Sequence, residues 1–235
     1  TYTAGQGTTE TVTSDPTGII ANVNSSPSGK PTITGINPGN AATQGDVLGV
    51  DTSTIIDANG IPDNAIFTYQ WKRDGSDITG ETSSTYTLTQ DDVGKKVSVT
   101  VTYTDGGNVV EILTSDDTGI VDNVNDSPDG KPIITGFIDI PKEDDTLTVD
   151  TSGITDDDGL GTFTYLWSNG ETGESITLKQ TDVGNQITVT ASYTDSQGTT
   201  EDVISDPTNP VANVNDLPVY SFTFSISGYT YETPE

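Results

Sequence analysis

The chain has 235 residues with no Cys, His or Met, which removes imidazole bases, thiolate nucleophiles, thiolate zinc sites and disulfides together. Its 36 acidic and 8 basic residues give a formal charge of −28, which excludes nucleic acid and anionic membrane as partners, because phosphate contacts need Lys and Arg. No run of 18 apolar residues is present, so no membrane-inserting helix is expected.

In chain order, Thr, Val, Ile and Tyr alternate in short runs broken by Gly, Asp, Asn and Pro, which is strand-and-turn chemistry. Residues 1–29 open in mid-pattern without a leader and are expected to be the closing strands of one domain in a longer protein. Residues 30–126 are expected to form a complete domain. It starts at Lys30-Pro-Thr-Ile-Thr-Gly35 and continues through Phe67, Tyr69 and Trp71, then Tyr86 and Leu88. The turn Asp92-Val-Gly94 follows, and then Val97, Val99, Val101 and Tyr103. Residues 127–216 repeat the order, from Lys131-Pro-Ile-Ile-Thr-Gly136 through Leu147, Val149, Phe163, Tyr165 and Trp167 to Ile176 and Leu178. The same turn, Thr181-Asp-Val-Gly184, then leads to Ile187, Val189, Ala191 and Tyr193. Residues 217–235 are expected to open a further, divergent β domain, with Tyr220, Phe222, Phe224 and Ile226 alternating as a strand with one apolar face.

The repeat fixes the size of the unit. Thr1-Tyr-Thr-Ala-Gly-Gln-Gly-Thr-Thr-Glu10 returns as Thr102-Tyr-Thr-Asp-Gly-Gly-Asn-Val-Val-Glu111 and as Ser192-Tyr-Thr-Asp-Ser-Gln-Gly-Thr-Thr-Glu201, in steps of 101 and 90 residues. Such a step is one sandwich domain, whereas solenoid repeats span roughly 20–50 residues. About seven short strands per unit, one Trp on the third and no helical period predict an all-β chain. Its domains are expected to be tandem immunoglobulin-like Greek-key sandwiches in an elongated array.

The acidic excess has two readings, a solvated surface or binding of a hard cation, which wants clustered carboxylate and amide oxygens. In an immunoglobulin-type sandwich the loop between the second and third strands and the loop between the sixth and seventh share the pole where the chain arrives. In the second full domain these are Asp156-Asp-Asp-Gly-Leu-Gly161 and Asp195-Ser-Gln-Gly198, met by the linker Asn123-Val-Asn-Asp126. The preceding domain is expected to bring Asp46, Asp91 and Asp92 to the same joint, although Asp92 also suits an ordinary turn of this fold. Like charges packed so closely repel unless a cation bridges them.

These features resemble the Ig-like and cadherin-like repeats of giant bacterial surface adhesins. The residues that carry the resemblance are Asp156-Asp-Asp-Gly-Leu-Gly161, Tyr165-Leu-Trp167, Thr87-Leu-Thr-Gln-Asp-Asp-Val-Gly94, Tyr193-Thr-Asp195 and Val214-Asn-Asp-Leu-Pro218. Related repeats occur in virion proteins. The resemblance implies Ca2+ at the joints, with Asn125, Asp126, Asp156, Asp158 and Asp195 as ligands. The alternative for Asp156 to Asp158 is a solvated Asp-Gly turn. The first joint departs from the pattern: its linker is Asn22-Val-Asn-Ser25 and its loop is Asp57-Ala-Asn-Gly60 with an insertion through Asn64, though Asp105 is kept. Weak calcium binding, or none, is expected there.

The resulting expectation is a non-enzymatic, extracellular extender segment of a surface adhesin, partnered by neighbouring repeats of its own parent protein. An alternative is a virion or appendage component assembling with itself into a fibre by strand addition, and a second is a carbohydrate-binding module. Paired carboxylates can hydrolyse glycosides only in a concave pocket with one raised pKa, which surface loops do not supply. Trp71 and Trp167 recur at one strand position and are expected in the core rather than as sugar platforms. Tyr229 and Tyr231 are freer to meet a glycan or cell-surface ligand.

Overall fold

The computed structural model describes residues 1–36, 41–216, 223–226 and 228–232. The chain divides into two compact units, Thr1–Val124 and Asn125–Glu235. Each is built from antiparallel strands, with no α-helix among the described residues.

The first unit opens with a hairpin of β1 (Tyr2–Thr3) and β2 (Thr9–Glu10). Its sandwich has one sheet of β3 (Thr32–Thr34), β4 (Val47–Asp51) and β7 (Thr85–Thr87), in the order β3-β4-β7. The facing sheet contains β5 (Thr68–Arg73), β6 (Ser76–Asp77), β8 (Val97–Thr104) and β9 (Val110–Thr114), in the order β6-β5-β8-β9. Strands 1-2-5 of the sandwich facing strands 4-3-6-7 is the immunoglobulin-like arrangement. Period-2 alternation explains which side chains turn inward: Val97, Val99, Val101 and Tyr103 are buried along β8. Val97 and Val99 pack with Leu48, Trp71, Tyr86, Leu88 and Val121 in one core cluster.

The second unit repeats the plan. β10 (Ile133–Thr135), β11 (Thr146–Asp150) and β13 (Ser175–Thr177) form one sheet; β12 (Thr164–Trp167), β14 (Val189–Thr194) and β15 (Thr200–Ile204) form the other. Leu147, Val149, Trp167, Ile176, Leu178, Ile187 and Val189 fill its core, and the chain closes at Val211, paired in parallel with Val183. A last hairpin joins β16 (Thr223–Ile226) to β17 (Tyr229–Glu232). Tyr220 and Phe222, and the side chains of Phe224, Ile226, Tyr229 and Tyr231, lie outside the described part.

Both indoles sit in the core. The Trp71 Nε1–H donates to the Ser83 carbonyl and the Trp167 Nε1–H to the Gly173 carbonyl, each at 2.9 Å. Neither ring is available to stack on a sugar. The Thr-Gly that ends the first strand of each sandwich also has a steric reason. Gly136 has φ +101°, and a Cβ there would stand 2.1 Å from the Thr146 carbonyl oxygen.

The hairpin after the sixth strand has one register in all three copies: Tyr2 faces Glu10, Tyr103 faces Glu111 and Tyr193 faces Glu201. It places a Tyr, an Asp-led turn and a Glu at one end of each sandwich.

Candidate metal site at the proximal pole of each unit

We call the end of a sandwich where the linker arrives its proximal pole. In the first unit two turns are built there by their own aspartates. Asp57 accepts the Asn59 N–H on Oδ1 at 2.8 Å, and Asp105 accepts the Val109 N–H on Oδ1 at 2.7 Å. Such turns suit Asp because its short side chain caps backbone N–H groups two to four residues on. The Gly106 N–H donates to the Gly60 carbonyl at 2.8 Å and ties the two turns together.

The linker completes the site. Asn24 donates through Nδ2 to Glu111 Oε1 at 2.7 Å, and the Ser25 N–H donates to Asn59 Oδ1 at 2.7 Å. Asp57, Asp105 and Glu111 each offer a carboxylate oxygen within 4.8 Å of the others, and among the described residues no other three acids do so. None of the ion pairs among the described residues involves any of these three.

The second unit repeats the hydrogen-bond scheme but not the close approach of three carboxylates. Asp156 accepts the Asp158 N–H on Oδ1 at 2.9 Å, and Asp195 accepts the Gln197 and Thr199 N–H groups on Oδ1 at 2.8 Å. Asn125 donates to Glu201 Oε1 at 2.8 Å, and the Asp126 N–H donates to Asp158 Oδ2 at 2.7 Å. A cavity of about 190 Å³ beside Asp156 is lined by Asp126, Ser127, Asp129, Thr155, Asp156 and Asp157. All five residues singled out in the sequence are therefore at one pole of one unit. Glu201 joins them from β15, as Glu111 does in the first unit from β9.

Each site holds one buried carboxylate oxygen without a partner. Asp105 is 2 % exposed and Asp195 is 6 % exposed, yet the Oδ2 of each is sealed from solvent without a hydrogen-bond donor. A buried acceptor without a partner costs about 1–3 kcal/mol, and a charged one costs more. A tyrosine hydroxyl stands beside each acid set. That of Tyr103 donates to Asp57 Oδ2 at 2.7 Å, and that of Tyr193 donates to Asp156 Oδ2. Burial raises the pKa of both phenols above the ordinary tyrosine value, as do the hydrogen bond and the surrounding carboxylates.

Crowded carboxylates, amide oxygens and an orphaned anionic oxygen form a donor set for a hard cation. Calcium takes six to eight such oxygens in flexible geometry, whereas magnesium demands a small octahedron and keeps its water. In the first unit Asp57, Asp105 and Glu111 would hold the ion, with the oxygen of Asn24 at the rim. In the second, Asp156, Asp195 and Glu201 stand at the equivalent places, with Asn125, Asp126 and Asp158 beside them, but their carboxylate oxygens do not all come within 4.8 Å of one another.

Not every acid the sequence brings to notice belongs here. Asp92 is bonded inside its own sandwich: its carboxylate accepts from Arg73 Nε at 2.7 Å, Tyr86 Oη at 2.7 Å and the Thr89 N–H at 2.8 Å. Asp46 is held by the Thr43 N–H at 2.9 Å.

No protein-family model and no curated protein matches the sequence. Among solved structures the chain is similar to a Ca2+-stabilized adhesin of an Antarctic bacterium that binds ice, at 14 % identity and a TM-score of 0.30, over 82 % of this chain and 50 % of that one. It is also similar to the three N-terminal domains of the outer capsid protein Hoc of bacteriophage RB49, at 18 % identity and a TM-score of 0.24, over 74 % and 56 %. A third likeness is to fibronectin(III)-like modules of Clostridium thermocellum CbhA, at 11 % identity and a TM-score of 0.24, over 80 % and 99 %. The chain spans about half the length of the adhesin and capsid chains. The immunoglobulin-like fold itself is read from strand order and register.

Proposed function

We propose that this chain is a spacing segment of a large extracellular repeat protein of the surface-adhesin kind, whose immunoglobulin-like units are braced by calcium at their proximal poles. The supporting observation is the pair of buried, unpartnered oxygens, Asp105 Oδ2 and Asp195 Oδ2, at equivalent places in two units. An isolated spare acceptor suggests a local packing fault. The same orphan in both copies, each among further acids and beside a linker asparagine, suits a shared ligand.

The mechanical role follows from where the linker sits. Asn24 and Ser25 in the first unit, and Asn125 and Asp126 in the second, bond directly to residues of the acidic set. An ion held by that set immobilises the chain just where it comes into the sandwich. Without the ion, the repulsion between carboxylates favours opening the pole and loosening the linker. The tight acid set of the first unit extends calcium to a joint where its Ser25 linker suggested little.

Small-angle scattering of the chain with and without calcium tests the spacing role. Calcium is expected to lengthen and sharpen the distribution of interatomic distances. Superimposable profiles at saturating calcium contradict the role.

A further inference from the structure

We propose that Tyr103 and Tyr193 are positioning residues for the bound cation, each phenol holding one ligand carboxylate in the orientation the ion requires. This rests on the calcium reading above and adds to it a group that is not itself a ligand.

The geometry is the same in both units. Tyr103 lies near the end of β8, buried, with its ring 5.4 Å from that of Phe67. Tyr193 lies at the same place in β14, with its ring edge-on to Phe163 at 5.0 Å. Each ring is fixed by the core while its hydroxyl emerges at the proximal pole. There it donates to Oδ2 of an aspartate whose Oδ1 is already held by a backbone N–H: Asp57 by Asn59, Asp156 by Asp158. A carboxylate held at both oxygens cannot rotate, yet each oxygen keeps a lone pair for a further partner. In the first unit a carboxylate oxygen of Asp105, whose Oδ2 is buried without a donor, lies within 4.8 Å of one of Asp57.

Chemistry selects a phenol for this task. A Lys or Arg would also hold the carboxylate, but its positive charge would compete with the cation. Ser or Thr is too short to reach the pole from inside the core, and Phe has no donor. Partners of this outer kind, which orient a ligand without touching the ion, typically account for ten- to hundredfold in metal affinity. The matching Tyr2 shows that the strand motif alone does not set the bond. With no aspartate loop packed against it, its hydroxyl donates to Glu10.

The test is calorimetric titration of calcium chloride into the full chain and into the chains carrying Tyr103→Phe or Tyr193→Phe. The Kd of the site in the altered unit is expected to rise about tenfold, while the site in the other unit keeps its affinity. Phe67→Leu and Phe163→Leu are the controls, since they loosen the same rings and keep the hydroxyl. They are expected to lower the metal-free melting midpoint and to change Kd by less than about twofold. If one Phe variant fails to fold, the same exchange in the other unit reads the same quantity. An unchanged Kd in the Phe variants overturns the positioning role and leaves the calcium reading intact. An unaltered chain that takes up no calcium overturns both.

Discussion

Asp92 and Asp105 are both buried acids of the first unit, and their surroundings differ. The Asp92 carboxylate is surrounded by donors from Arg73, Tyr86 and Thr89. Burial pushes its pKa up, but these bonds outweigh the burial and leave it below the ordinary carboxylate value. A lowered folded pKa contributes stability that is present above the unfolded value of about 4 and is lost as pH falls through the folded value. Asp92→Asn should therefore destabilise the first unit by about 2 kcal/mol at pH 7, because it removes the buried charge that Arg73, Tyr86 and Thr89 share, leaving Arg73 its longer contact to Asp91. It should also flatten the loss of stability below about pH 4. Urea unfolding at pH 7 and pH 3 checks both, and an equal cost at the two values contradicts the assignment. Asp105, by contrast, has one buried oxygen that meets no donor. That Asp126, Asp156, Asp158 and Asp195 gather at one pole was legible, because Asp-Gly loops and an Asn-Val-Asn-Asp linker mark the turns and the entry that share an end of the sandwich. Glu111 and Glu201 were not, because one Glu in a hairpin strand resembles any solvated residue. The signal was available in its recurrence at positions 10, 111 and 201.

At the scale of the element, alternation in strands such as Val97-Ser-Val-Thr-Val-Thr-Tyr103 was enough to place the inward face, since a strand has only two faces. Loop lengths were less legible. Trp71 and Tyr86 are 15 residues apart, while Trp167 and Ile176 are 9 apart. The longer stretch makes room for β6, joined to β5 across Asp74 and Gly75, both with positive φ. That pair suits the tight turn whose twist matches a hairpin. Two glycines of the second unit separate conformational strain from steric exclusion. Gly136 and Gly170 both have positive φ, but only Gly136 backs onto another strand. Gly170→Ala should cost about 1 kcal/mol from conformation alone. Gly136→Ala must also displace the Thr146 carbonyl and should cost at least about 3 kcal/mol. Equal shifts in the two urea midpoints contradict the account of the Thr-Gly step.

At the scale of the molecule, the dominant quantity is the formal charge of −28. Self-repulsion on this scale opposes the compact state, and any salt relieves it by screening within about 8–10 Å. Screening acts on the whole surface and grows smoothly with ionic strength, whereas a built site saturates and selects its ion. The repeat steps of 101 and 90 residues made the tandem plan readable without coordinates, because strand order survives loops of unequal length. What no repeat could reveal was the burial of one oxygen in each copy, since that depends on how two loops and a linker close together. The direct test is thermal unfolding across a calcium titration at constant ionic strength, with magnesium and EDTA as controls. The account predicts a saturable rise in the melting midpoint with calcium, much smaller with magnesium, reversed by EDTA and halved by either Asp105→Asn or Asp195→Asn. A midpoint that responds only to ionic strength, equally in all three chains, would contradict it and leave the acidic poles as solvated surface.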